Sequence, residues 1–127
     1  MRPILKSISL LSLLASPAFA HHSAAMFDHT KIIPLEGTVK SWQWINPHSW
    51  LEVVIPDGKG ATTDASFEIG SPNTLYRNGW RHDSFKPGDH VKITYEPRID
   101  GKPGGQLYTA QPQGAAEPLS WLPKGRY

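Results

Sequence analysis

Six histidines and no cysteine give this 127-residue sequence its most obvious chemistry. Imidazole nitrogens readily bind transition metals such as copper and zinc. Two of the six, His21 and His22, are adjacent and follow directly after an apolar N-terminal segment. Whether they take part in a metal site depends on which other histidines the fold brings near them. The remaining four histidines are His29, His48, His82 and His90.

The first 20 residues are predicted to be a cleaved secretory signal. Arg2 and Lys6 supply positive charge, residues 8–15 are apolar, and Ala18-Phe-Ala20 has the small-x-small pattern of a signal peptidase site. The apolar stretch is about half of the ~20 residues that a membrane-spanning helix needs, so we expect no membrane anchor. Removing 20 of the 127 residues would leave a chain of 107 in the periplasm or outside the cell.

Cleavage after Ala20 would make His21 the first residue. Its free amine and its ring Nδ1 could then chelate a single ion, and one further imidazole would complete a three-nitrogen site suited to copper. The ordinary pKa of such an amine is about 7.7–8.0, so a metal displaces its proton near neutral pH at small cost. The amine together with His22 is a second arrangement, although adjacent side chains of an extended chain point to opposite sides.

His48 is the expected partner, within the segment Trp44-Ile-Asn-Pro-His-Ser-Trp50. Proline and flanking tryptophans would hold this turn rigidly, as a metal ligand requires. A structural histidine that pins the turn through hydrogen bonds is the competing interpretation. His29 is an alternative ligand in the N-terminal arm, whereas His82 and His90 are expected to face solvent.

Composition excludes several other functions. Of the 13 basic residues two lie in the signal, and the 11 that remain balance the 11 acidic ones, without a basic stripe that could follow nucleic-acid phosphates. No nucleophile elbow, phosphate-binding loop, His-Glu-x-x-His or dinucleotide fingerprint occurs, so we expect no enzyme.

The alternation of apolar residues predicts a mostly β fold. Strands are expected at residues 35–45, 49–55, 63–69, 91–95 and 106–111, with a glycine-marked bend or bulge in the first. Strict alternation there places Val39 and Trp42 on opposite faces. A two-turn helix should follow Ser71 as N-cap and Pro72, and end at Asn78-Gly79.

This order predicts a small five-stranded barrel of the oligonucleotide/oligosaccharide-binding (OB) type, with one short helix between strands 3 and 4. A small β-sandwich is the alternative. The expected organisation is a signal at 1–20, an arm at 21–34, the barrel at 35–113 and a Pro/Gly-rich tail at 114–127. Leu119, Trp121 and Leu122 of the tail would pack loosely on the barrel or be disordered.

Aromatic residues offer a second kind of site. Trp44, Asn46 and Trp50 could present a face for stacking a base or a sugar. Trp42 and Trp80 could belong to the same face, and the competing interpretation is that two or three of these four tryptophans close the core of a small domain without disulfides.

Several motifs resemble those of a family of short exported bacterial proteins of unknown function. They are the His-His-Ser start, Trp44-x-Asn-Pro-His48-x-Trp50, Phe67-Glu-x-Gly-Ser-Pro-Asn73 and Lys86-Pro-Gly-Asp89. The resemblance covers residues 21 to about 111 and implies that the motifs form one unit, without implying an activity. The strand plan is also distantly similar to periplasmic OB-fold proteins, some of which bind heme or small ligands.

The sequence therefore leads to two hypotheses. The first is a periplasmic or secreted protein that binds copper through His21 and His48, with His22 or His29 as alternatives, for carriage or delivery. The second is a module that binds a small molecule, a glycan or an envelope protein through the aromatic face around Trp44 and Trp50.

Overall fold

The computed structural model describes residues 24–121 of the chain. It contains a short 3-10 turn at Ala24–Met26, followed by six strands and one α-helix. The strands are β1 (Ile33–Gln43), β2 (Ser49–Pro56), β3 (Thr62–Ile69), β4 (His90–Pro97), β5 (Gly104–Gln111) and the two-residue β6 (Leu119–Ser120). The helix α1 is Pro72–Arg77, between β3 and β4.

The sheet closes on itself. Its strand order is β3-β2-β1-β4-β5-β6, and β3 also pairs with β5, so the first five strands form a barrel. All pairings are antiparallel except β3 with β5, which is parallel. The predicted OB-like barrel, with its helix between strands 3 and 4, is confirmed.

The helix begins and ends where the sequence predicts. The Ser71 side chain accepts a hydrogen bond from the Thr74 N–H, which otherwise lacks a partner in the first turn, and Pro72 needs no such partner. Asn78 is the C-cap, and Gly79 follows with a φ of 89° that favours glycine. The helix packs Leu75 into the core.

A β-bulge in β1 reverses the face expected for Trp42. The pairing with β2 shifts register between Val39 and Ser41, and as a result Val39 faces Val53 while Trp42 faces Leu51. Because one extra residue in a strand moves every following side chain to the other face, both Val39 and Trp42 point towards the core. The prediction from strict alternation was wrong here.

The core fills the barrel and the space under the helix. Trp80 is completely buried and lies 5.9 Å from the Trp42 ring and 5.8 Å from the Phe85 ring, measured between centroids. Trp42 and Trp80 therefore serve the core, as the competing interpretation of the tryptophans held. The other buried apolar side chains of the cluster are Val39, Leu51, Val53, Ala65, Phe67, Ile69, Leu75, Val91, Ile93, Leu107 and Ala110.

Barrel closure depends on close backbone contact at the start of β5. Gly104 is opposite Ser66 of β3, and Gly105 is opposite Pro97 of β4. A Cβ atom at Gly105 would lie 2.0 Å from the Glu96 carbonyl oxygen, and one at Gly104 would lie 2.1 Å from that of Ser66. Only glycine fits at these two positions.

We expect Gly105→Ala to destabilise the protein by about 2–3 kcal/mol, because a methyl group must push β5 away from β4. Gly70→Ala is the matched control, since its Cβ would meet nothing closer than 3.5 Å and its backbone is not left-handed. The control should change stability by less than about 1 kcal/mol. Urea unfolding measures both, and equal midpoints for the two variants would contradict this account of closure.

Candidate functional site

The site is a cleft of about 350 Å³ on the outside of the barrel, where β2, β3, β5 and α1 meet. His48 precedes β2, Glu68 is the penultimate residue of β3, and Gln106 lies in β5. Trp121 approaches from the C-terminal segment. The cleft is lined by Pro47, His48, Glu68, Ile69, Gly70, Ser71, Thr74, Gln106 and Trp121.

His48 and Glu68 form the polar centre of the cleft. Oε1 of Glu68 is in ion-pair contact with Nδ1 of His48. The His48 side chain is 41% exposed and the Glu68 side chain 11% exposed. A carboxylate that is largely withdrawn from water requires a donor, and the imidazole supplies one. This contact fixes the ring and leaves Nε2 as the nitrogen available to a ligand.

The turn before β2 places His48 beside this carboxylate. The Asn46-Pro47 peptide bond is cis, and the Ser49 N–H donates to the Gly70 carbonyl at 3.1 Å. Ser49 is itself completely buried and is opposite Ile69 in the β2–β3 ladder. His48 is thus anchored directly over the end of β3.

Gln106 and Trp121 complete the walls. Gln106 pairs with Glu68 in the parallel β3–β5 ladder and with Glu96 in the β4–β5 ladder. Trp121 Nε1 donates to the Leu107 carbonyl at 2.7 Å, which sets its indole ring against the barrel. The Asn78 side chain also donates to the Trp121 carbonyl at 3.2 Å. The beginning of the C-terminal tail is therefore part of the site.

The residues predicted for the site lie in different parts of the chain and of the structure. His48 lines the cleft, whereas His21 and His22 lie outside the described residues. Trp50 neighbours Glu68 across the β2–β3 ladder, beside the cleft. Trp44 packs edge-on against Trp42 at 5.7 Å, and Asn46 is exposed in the turn. The structure does not gather Trp44, Asn46 and Trp50 around one cleft.

The other histidines are placed separately. His29 Nδ1 lies 2.6 Å from Oε2 of Glu96, on β4. His82 is exposed, as expected. His90 is also exposed, with Nε2 3.4 Å from a Glu36 carboxylate oxygen. Within residues 24–121 no three His, Asp or Glu side chains are grouped closely enough to hold a metal ion.

Sequence reasoning missed the partners of His48. Glu68 and Arg77 flank the Gly-Ser-Pro-Asn segment, a spacing that predicts an ion pair between strand and helix, but Glu68 contacts His48 instead. Gln106 lies 38 residues beyond Glu68 and is brought there by barrel closure, and Trp121 lies 53 residues beyond Glu68 and is brought there by the course of the tail. The Phe-Glu-x-Gly-Ser-Pro-Asn motif was the available signal, since it holds Glu68, Gly70 and Ser71 of the cleft.

Residues 9–108 match the model of a family of unknown function, DUF6152. The chain belongs to this family. No curated protein and no solved structure matches it significantly. The DUF6152 match includes His48, Glu68 and Gln106 but ends before Trp121. Within the described residues, no helix is long and apolar enough to cross a membrane.

The contact between Glu68 and His48 predicts which tautomer the His48 ring adopts. At alkaline pH, where imidazoles are neutral, the proton should reside on Nδ1 and the lone pair on Nε2. Long-range ¹H–¹⁵N spectra distinguish the two nitrogens. In Glu68→Gln the preference for a proton on His48 Nδ1 should weaken, because an amide can donate as well as accept. The ring signals of His82 should be unchanged. A proton on Nε2 in the unmodified protein would contradict the assignment.

Proposed function

We propose that this chain is an exported binding protein whose ligand is held at the His48–Glu68 cleft, and that this ligand is a transition metal ion, copper in the first instance. The observation that carries the proposal is the contact between the Glu68 carboxylate and His48 Nδ1. Metal-binding histidines commonly donate their second ring nitrogen to a carboxylate, which orients the ring and makes it a better ligand. His48 Nε2 would be the metal-binding atom.

The remaining ligands would come from the N-terminus of the cleaved chain. The described residues contain no group of three metal-binding side chains, so His48 needs ligands from elsewhere to hold an ion tightly. The amine and Nδ1 of His21 would supply the two further nitrogens, with His22 or His29 as alternatives. The role would be carriage, buffering or delivery of the metal in the periplasm or outside the cell.

Copper titration tests this proposal. Protein that begins at His21 should bind one Cu(II), and the same protein with its N-terminal amine acetylated should bind it at least about 100-fold more weakly, because acetylation removes the amine from the chelate. His48→Ala should have a loss of similar size, and Glu68→Gln about 10–100-fold. His82→Ala is the control and should bind like the unmodified protein. Equal binding before and after acetylation would contradict the proposal.

The cleft itself supports a second candidate, a small organic ligand. Trp121 and Pro47 give it apolar walls, and Gln106, Ser71 and His48 give it hydrogen-bonding groups. This combination of apolar walls with a few fixed polar groups is typical of small-molecule sites. The non-metal ligand would be a planar molecule or a sugar ring that stacks on the Trp121 indole.

Trp121→Ala separates the two candidates. If an organic ligand occupies the cleft, the loss of the stacking surface should abolish its binding, whereas Cu(II) affinity should change by less than about threefold, because Trp121 offers a metal no ligand atom. A screen of aromatic and sugar fragments, read by chemical shifts of the Gly70 and Gln106 amides, measures the first effect. Fragments that bind both proteins equally would exclude the cleft as their site.

A further inference from the structure

The walls of the cleft carry neutral groups that both donate and accept hydrogen bonds. The Gln106 carboxamide lines the cleft and has no hydrogen-bond partner among the described residues. Its backbone is held on both sides, by Glu68 of β3 and by Glu96 of β4. The hydroxyls of Ser71 and Thr74 lie 3.2 Å apart in the same cleft. Because an amide and a hydroxyl each have donors as well as acceptors, these walls suit a ligand whose own groups are of this mixed kind.

The imidazole of His48 adds an acceptor to the cleft. Its Nδ1 is occupied by the Glu68 carboxylate, so the neutral ring offers the lone pair of Nε2. Nε2 has no hydrogen-bond or ion-pair partner in the part of the chain that the structure describes. A ligand must therefore bring an O–H or an N–H to this nitrogen. A hydroxyl group does so, whereas an ionised carboxylate or phosphate offers only acceptors.

The cleft has no cation that could hold an acidic ligand. No Lys or Arg is among the described residues that line it, and Glu68 contributes a carboxylate. The pKa of Arg98 is raised chiefly by its hydrogen bonds to Asp100 and to a smaller extent by the charge of Glu68. Both carboxylate oxygens of Asp100 hold the Arg98 guanidinium, at 2.9 and 2.6 Å, so it is already occupied. The charge of Glu68 therefore disfavours anionic ligands.

Trp121 gives the cleft a fixed aromatic wall. Its Nε1 donates to the Leu107 carbonyl at 2.7 Å, and its own carbonyl accepts from the Asn78 side chain at 3.2 Å. A Cβ atom at Gly70 would lie 3.5 Å from a carbon of the indole, so the ring packs against the backbone just before the helix. Because the indole N–H is already used, the ring offers a ligand its π surface, on which the C–H face of a sugar ring can stack.

We propose that the organic ligand of the cleft is a neutral sugar, with one ring stacked on the Trp121 indole and its hydroxyls bound to Gln106 and to His48 Nε2; this inference rests on the second candidate function above. The cleft volume of about 350 Å³ is near the lower end of the range for small-molecule sites, so it has room for one or two rings. The anchored indole and the fixed Gln106 backbone are in place before the ligand arrives, which lowers the cost of ordering them on binding.

NMR titration with glucose, N-acetylglucosamine, maltose and N,N′-diacetylchitobiose, without added metal, tests the inference. At least one of these sugars should shift the Gly70 and Gln106 amides and the Trp121 indole signal. Trp121→Ala and Gln106→Ala should each weaken that binding by about tenfold, and Trp121→Phe, which keeps a ring, should lose less. Tyr76→Ala removes a ring that is 61% exposed and outside the cleft, so this matched control should bind like the unmodified protein. Unchanged β1–β2 amide signals show that each variant folds.

Glucuronic acid tests the argument from charge. This acid carries sugar hydroxyls together with a carboxylate, which the Glu68 charge should repel. It should bind more weakly than the neutral sugar that binds best, and the difference should shrink in Glu68→Gln. Tighter binding of the acid than of every neutral sugar would overturn the proposed ligand class.

The possible failures are distinguishable. If none of the four sugars shifts the Gly70 and Gln106 signals at tens of millimolar, the sugar is the wrong class of ligand. The second candidate function then stands if planar aromatic fragments shift the same signals, and it falls together with this inference if no organic fragment does. Sugar binding that survives both Trp121→Ala and Gln106→Ala at full strength would also overturn the inference, because the sugar would then lie outside the cleft.

Discussion

The parallel pairing of β3 with β5 is the contact on which the rest of the structure depends. It comprises three residue pairs, Ser66 with Gly104, Phe67 with Gly105 and Glu68 with Gln106. Without it the sheet would be an open one with two free edges, and such edges are prone to pair with other chains. Gly104 allows β5 to approach β3, Gly105 allows it to approach β4, and the third pair brings Gln106 beside Glu68. The same contact therefore closes the barrel and forms one wall of the cleft.

The outer face near this closure has an unusual charge pattern. Two carboxylates, Glu68 and Glu96, are largely withdrawn from water, and each is in contact with a histidine. Burying a carboxylate is costly unless it is paired, so each histidine helps to keep its carboxylate in place. The two histidines differ in what they connect. His48 belongs to the turn that begins β2, whereas His29 belongs to the arm that leads back to the chain's start.

The local parts of the fold could be predicted from the sequence. Alternation located the strands, and Ser71, Pro72 and Gly79 located the helix, because capping and turn chemistry depend on neighbouring residues. The glycine in the first strand predicted a bend or bulge there, but its position could not be predicted, since nothing local indicates which residue goes unpaired. The bulge left Val39 and Trp42 on one face, although alternation assigns them to opposite faces.

The candidate site was predictable only in part. His48 was recognised from its rigid turn, but its partner Glu68 depends on the register between β2 and β3, which the sequence alone does not specify. Gln106 and Trp121 depend on closure and on the course of the tail. His21 and His22 lie outside the described residues, so their part in the site remains a prediction.

The most direct test of the account is a paramagnetic broadening map. Cu(II) at about one tenth of the protein concentration broadens the NMR signals of nuclei near the bound ion. We predict selective loss of the His48 ring signals, the Gly70 and Gln106 amides and the first residues of protein that begins at His21. Loss centred on His82 or His90, with the His48 ring signals intact, would contradict it.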